Sequence, residues 1–260
     1  MFETSFSIYN LEFFLAVLVR IAGAVSTAPV FNSRSVPARV RLFLACSVAM
    51  LVVGTLEYEP LRYTTTFGFT AILLKELVTG LSIGLMASVS MAMINMAGQF
   101  IDREIGFSMA STFDQVNGGM STITADFYNY LVMLVMVLSG MHYFILVTLA
   151  DSFQVIPIGG AMWDGDAVYT LVLELLRDYF IISLRICMPI FLSATLLNVV
   201  LGILAKASPQ LSMFTIGMQL KVLLGLLVIF LTIAFMPDVT QYVYEAVGDF
   251  VSKMIQTMYE

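Results

Sequence analysis

The run "FGFTAILLKELVTGLSIGLMASVSMAMINMAGQF", residues 67–100, decides the architecture. It exceeds the roughly 20 mainly apolar residues that a helix needs to cross a hydrocarbon layer. Every fourth residue from Glu76, namely Gly80, Gly84, Ser88, Ala92 and Met96, falls on one stripe of mostly small side chains with a charge at its end. Such a stripe lets a second backbone approach closely in lipid, where packing rather than water drives helices together. The run therefore predicts a membrane helix that packs on another helix. Within it, "GLSIG" (Gly80 to Gly84) fits the G-x-S-x-G pattern of serine hydrolases, and the one histidine, His142, lies on another apolar run. A nucleophile elbow needs a strand-turn-helix context, which a helix interior does not supply. Gly80 and Gly84 are accordingly read as helix-packing residues, with an intramembrane protease as the sharper but poorly supported option.

The rest of the chain repeats the pattern. Six apolar runs occur, at about 11–31, 40–56, 67–100, 127–150, 168–205 and 211–236. The period-2 alternation of an outer-membrane strand is absent, and lipid tolerates no unpaired backbone. The expectation is an all-α integral membrane protein built of helical hairpins. Composition agrees, since 60% of residues are hydrophobic and 12% charged, against about 25% charged in a soluble domain. The net charge of −6 and scattered basic residues leave no footprint for nucleic acid. Cys46 and Cys187 stand alone in apolar runs, so neither disulfide nor zinc spacing is present. The N-terminus lacks the basic region and cleavage site of a signal peptide, and the first helix is expected to stay. No phosphate loop, metal motif or cofactor motif is found. "NSRSVPARVR", with Arg34, Arg39 and Arg41, is expected on the cytoplasmic side. Alternation then puts residues 151–166 outside and "KASPQ", 206–210, inside.

Charges within the runs require explanation, because they are expensive in lipid and normally face protein or water. Arg20 lies on a stripe with Gly23, Ala24, Thr27 and Ala28. Either Arg20 and Glu76 are partners, within the chain or across a subunit boundary, or each snorkels to an interface. A simple pair should tolerate exchange of the two charges. Around the turn signalled by Pro209, Asn198, Gly202 and Lys206 share one face before it, and Met213, Gly217, Lys221 and Gly225 share one after it. The lysines fit flanking anchors or the edge of a wet channel mouth; the small residues fit helix packing. His142 has no nearby carboxylate, and reads as a hydrogen-bonding core residue rather than a proton relay. Beyond Pro237, apolar residues at helical spacing alternate with acids, which predicts an amphipathic helix over 237–260 that packs on a partner or on the chain itself.

One segment is too polar for hydrocarbon. "DREIGFSMASTFDQVNGGMS", 102–121, nonetheless carries Ile105, Phe107, Met109 and Phe113. Gly106, Gly118 and Gly119 give it backbone freedom, and methionine adapts to irregular partners. An ordinary connector packed on neighbouring helices is the plainer reading.

The ordered set "RIAGAVSTAPVF", "RSVPARVRL", "AGQFIDREIGFSMAS", "GMHYFIL", "SFQVIPIG" and "LNVVLGILAKASPQLSMFTIGMQLK" resembles the FliR family of flagellar export-apparatus proteins and their type III secretion counterparts, from about residue 10 to 236. The resemblance implies no enzyme and no cofactor. It implies a subunit of an export gate in the bacterial inner membrane, within the flagellar basal body and raised toward the periplasmic side. FliP and FliQ homologues would surround it, FlhB-type and FlhA-type components would adjoin it, and unfolded flagellar proteins would pass through. Residues 1–167 would be the FliP-like part and 168–236 the FliQ-like hairpin. Residues 105–119, with Ile105, Gly106, Phe107, Met109, Phe113, Gly118 and Gly119, would form a pore plug beside a methionine gasket. The chain departs from the family at Asp114-Gln115, where Asp-Pro is common. A small-solute secondary transporter is the alternative class, and would call for a repeat and a charge cluster at midplane.

Overall fold

The computed structural model describes residues 8–29, 31–32, 36–57, 61, 63, 65–108, 122–207 and 213–258. These form eight α-helices and, among the described residues, no strand. The helices are α1 (Ile8–Thr27), α2 (Ala38–Val53), α3 (Thr66–Ile105), α4 (Ile123–Leu138), α5 (Met141–Val155), α6 (Gly165–Ala207), α7 (Met213–Thr232) and α8 (Met236–Thr257). A 3-10 turn, Ile233–Phe235, joins the last two.

Among the described residues, three helical stretches are long and apolar enough to cross a membrane: Thr66–Ile105, Gly165–Ala207 and the nearly continuous Ile216–Thr257. Helices α4 and α5 qualify together as one broken span. That break corrects the single run expected over 127–150. Gly140 has φ of 75°, a left-handed conformation that glycine adopts without penalty, and α5 begins there. Pro237 does not end a helix either: it sits in the first turn of α8, where its missing N–H costs little. Along these stretches the charges lie at the margins of charge-free runs, 77–101, 127–150, 186–205 and 222–237, which are the right order of length for a hydrocarbon layer.

The chain forms two compact units, and α3, α6 and α8 each contribute to both. The first comprises residues 1–89, 140–175 and 245–260. Its core is built from Val17, Ile21 and Val25 of α1, Ala45 and Ala49 of α2, Ile83 and Met86 of α3, Leu149 and Phe153 of α5, and Phe250, Val251 and Met254 of α8. The amphipathic C-terminal helix thus buries its apolar stripe on its own chain, and Met258 closes it by accepting a backbone hydrogen bond from Met162 at 2.9 Å.

The second unit comprises 90–139 and 176–244. Met93, Ala97 and Ile101 of α3, Tyr128 and Met136 of α4, and Ile182 and Ile190 of α6 are buried there. Polar side chains tie these helices together: Ser183 donates to the Met93 carbonyl at 2.9 Å, and the Tyr244 hydroxyl meets Met136 Sδ at 2.6 Å. Half of the most apolar window of α3 is buried within the chain, against 17% for those of α6 and Ile216–Thr257. Helix α3 is therefore the internal one. Phe191, Leu196 and Ile203 of α6 and Leu223, Phe230 and Leu231 of α7 face outward.

Candidate functional site

The first constellation grows from Arg20, fully buried on α1. Its Nε donates to Glu76 Oε2 at 2.5 Å and its Nη2 to Glu76 Oε1 at 3.1 Å, so the guanidinium grips the carboxylate with two parallel bonds. The remaining N–H groups reach main-chain carbonyls: Ser152 at 3.2 Å and Ile156, from both Nη atoms, at 3.1 Å. The Phe153 ring lies 4.1 Å from Cζ. Glu76 Oε1 also accepts the Gly159 N–H at 2.8 Å, and Gly159 turns with φ of 76°. The pair is thus intrachain and fully satisfied, the condition under which an ion pair survives burial. It fastens α1 and α3 to the end of α5 and the turn after it.

Glycine lets the helices come close enough for that pairing. A Cβ on Gly80 would collide with the Arg20 carbonyl, one on Gly84 with the Ala24 carbonyl and the Thr27 hydroxyl, and one on Gly23 would lie 3.0 Å from the Leu77 carbonyl. The stripe read at every fourth residue holds only over this stretch. Four residues turn an α-helix about 40° past a full circle, so Ser88, Ala92 and Met96 rotate out of the deepest contact. The buried face continues through Ala87, Ser90, Ile94, Ala97, Ile101 and Ile105 instead. Ser82, the residue of the hydrolase-like string, donates to the Val78 carbonyl of its own helix at 2.8 Å, and the context is a helix, not a strand-turn-helix.

The second constellation closes the far end of α3. Gly106 takes φ of 97° and donates its N–H to the Asp102 carbonyl at 3.0 Å, a glycine stop that other residues adopt with strain. The Asp102 side chain, 1% exposed, turns to the start of α4. Both of its oxygens accept the Thr124 N–H at 3.1 Å, and Oδ1 also accepts the Thr124 hydroxyl. Thr122, the residue in the capping position of α4, makes no side-chain cap, so the cap comes from α3. One turn earlier, a Cβ on Gly98 would strike the backbone of Ala125.

The residues singled out on sequence fall into three groups. Arg20 and Glu76 meet, as do Ile105 and Gly225: Ile105 ends α3, is buried, and packs its side chain over Gly225 of α7. The connection after α3 therefore begins at Gly106 rather than at Ile105, because Ile105 is held in the helix and its core. Gly217 faces Leu201 of α6. A second group stays open within the chain. Asn198 and Lys206 are exposed, Lys221 is half-buried, and a Cβ on Gly202 would meet none of the described residues within 4 Å. Phe107 is half-buried. Met109, Phe113, Gly118 and Gly119 lie outside the described residues, as does the turn around Pro209. His142 is half-buried, with its ring 4.1 Å from that of Tyr143 and Nδ1 without a partner.

Gly98, Asp102 and Thr124 were not singled out. The signal was present: continuing the buried face of α3 at 3.6 residues per turn puts Gly98 and Asp102 on it. Among the described residues no three His, Cys, Asp or Glu side chains converge as metal ligands do.

The sequence model of the bacterial export proteins, family 1, matches residues 11–247. The chain is 31% identical over 211 residues to the flagellar biosynthetic protein FliR of Bacillus subtilis, covering 80% of this chain and 81% of that one. It is 29% identical over 242 residues to the FliR of Pectobacterium carotovorum, covering 91% and 90%, and 28% identical over 246 residues to that of Escherichia coli, covering 91% and 92%. With a match that takes in both constellations and runs from α1 into α8, the chain belongs to the bacterial export proteins, family 1.

Proposed function

We propose that this chain is a subunit of the flagellar type III protein export gate in the bacterial inner membrane, within the basal body. It assembles with FliP and FliQ homologues, next to FlhA-type and FlhB-type components, around a conduit for unfolded flagellar proteins, and catalyses no reaction itself. Residues 1–167 serve as the FliP-like part and 168–236 as the FliQ-like hairpin, with 237–260 bracing the chain. The connection over 106–119 plugs the conduit: Phe107, Met109 and Phe113 exclude water, and Gly106, Gly118 and Gly119 let it yield to a passing chain.

The observation that carries this reading is the family match along nearly the whole chain. The outward faces of α6 and α7 support it, because Asn198, Gly202 and a row of large apolar side chains lie uncovered by the described residues of this chain. Small residues in a membrane helix suit close approach by another helix. Lys206 and Lys221 then belong to assembly or to the conduit mouth. A solute transporter finds no such support, since Arg20 and Glu76 satisfy one another and Asp102 is occupied by Thr124.

Expression of the chain alone and together with its FliP and FliQ homologues tests the proposal. A gate subunit accumulates as a stable species only with its partners, and deleting 106–118 raises small-ion leakage through the assembled complex. A stable, monodisperse product without partners, or unchanged leakage after the deletion, overturns it.

A further inference from the structure

We infer that the cleft between α1 and α2 that Arg41 lines is a binding site for one anionic phospholipid: the guanidinium takes the headgroup phosphate, and an acyl chain runs along the apolar face of α2. The cleft lies wholly within the first compact unit and does not depend on the proposed conduit.

Charge balance is the first observation. From Phe13 to Leu56 the chain carries four arginines and no acidic residue. Glu76 neutralises Arg20, but among the described residues no carboxylate pairs with Arg39 or Arg41, and Arg34 lies outside them. Arg41 is half-buried and holds one bond, from Nη1 to the Asn32 side-chain oxygen at 2.6 Å, while its Nε is buried with no acceptor among the described residues. A buried guanidinium N–H without an acceptor is costly. Phosphate satisfies such a group with two parallel bonds along one edge of the fork. Pro37, in the capping position of α2, gives no side-chain cap, so the partial positive charge of the helix start adds to the same field.

Shape is the second. The cleft has a volume of about 250 Å³ and, besides Arg41, is lined by Ala22, Val25, Ser26, Leu42 and Ala45. A helix with its side chains is about 10–12 Å across and is too wide to enter; a phosphate and the chain attached to it are not. Next to the cleft, Leu42, Phe43, Met50 and Leu51 of α2 are exposed, and residues 42–56 carry no charge. Anion-binding groups thus stand at the head of a charge-free apolar face, as a headgroup stands above its acyl chains. Basic pockets between helices recognise anionic headgroups in this way.

The test uses the full chain in complex with its FliP and FliQ homologues, or by itself if it purifies so, exchanged into detergent with equal amounts of phosphatidylglycerol and phosphatidylethanolamine. Native mass spectrometry counts the phospholipid retained per chain. Arg41→Gln is expected to weaken phosphatidylglycerol retention about tenfold, the worth of one charge-assisted bond. Arg41→Lys keeps the charge without the fork and should fall between. Ser26→Trp fills the cleft from an exposed position with every charge kept, and should weaken retention too, whereas Arg39→Gln, outside the cleft, should change it little. A wild-type melting temperature identifies the variants that fold. Free sn-glycerol 3-phosphate, which lacks the chains, should not displace the lipid. Equal retention of the two lipids, wild-type retention in folded Arg41→Gln or Ser26→Trp, or an equal fall in Arg39→Gln and Arg41→Gln overturns the inference. So does displacement by sn-glycerol 3-phosphate, which would make this a phosphate site, or a cross-link from Ser26→Cys to a partner subunit in a complex that keeps no phosphatidylglycerol, which would make it a subunit seam.

Discussion

Glu76 Oε1 stands between two donors from different parts of the chain, Arg20 Nη2 at 3.1 Å and the Gly159 N–H at 2.8 Å. The pair is therefore not a simple one, and exchange of its charges is not expected to be tolerated. Reversing both charges would aim carboxylate oxygens at the carbonyls of Ser152 and Ile156 and a guanidinium at the Gly159 N–H. Arg20→Glu/Glu76→Arg is expected to be as defective as either single change. Removing one partner alone, as in Glu76→Gln or Arg20→Met, leaves an uncompensated group in the core at a cost of about 3–5 kcal/mol. The amount of chain in the membrane fraction and its aggregation temperature read this out; recovery in the double variant would show that the main-chain contacts are dispensable.

Substitutions at glycine should separate intrachain packing from an open face. Gly80→Ala and Gly84→Ala drive a methyl into the backbone of α1 and are expected to reduce the yield of folded chain sharply. Gly202→Ala meets nothing within 4 Å among the described residues and should leave its thermal stability unchanged. Gly202→Leu is then expected to weaken co-purification with FliP and FliQ homologues while the chain itself remains folded, and normal co-purification would remove Gly202 from any subunit seam.

Gly98→Val is expected to push α3 and α4 apart at Ala125. Because the same contact brings Asp102 to Thr124, it should mimic Asp102→Ala in thermal shift. Melting temperatures of the two variants and of the combination measure this; a fully additive combination would mean that the contact and the cap are independent.

Gly106→Ala isolates backbone strain from packing. Among the described residues its Cβ would meet only Met218 Cγ at 3.9 Å, so no described atom blocks it, but φ is 97°. A left-handed conformation costs an ordinary residue roughly 1–2 kcal/mol, and a correspondingly small fall in melting temperature is expected. A neutral change would show that α3 can end in another way.

Ser82→Ala removes only a hydroxyl bonded to the Val78 carbonyl of its own helix. Export, measured as hook or filament protein in the medium, is expected to continue at wild-type level, and its loss would revive a chemical role for "GLSIG".

Residues 67–100 and their companions determine by themselves that this is a helical membrane protein, since run length and the scarcity of charge fix the solvent before any contact forms. They also mark Arg20 and Glu76 as groups that need partners, and Gly80 and Gly84 as places of close approach. Only the tertiary structure decided that the partners lie in one chain, that Gly140 breaks the 127–150 run, and that Asp102 caps α4 from another helix. The reason is physical. In water the packed side of a helix is the apolar side, and periodicity reveals it. In lipid both sides are apolar, so Ala97 and Gly98 on the packed side of α3 and Leu196 and Ile203 on the open side of α6 look alike until another helix is seen to cover one and not the other.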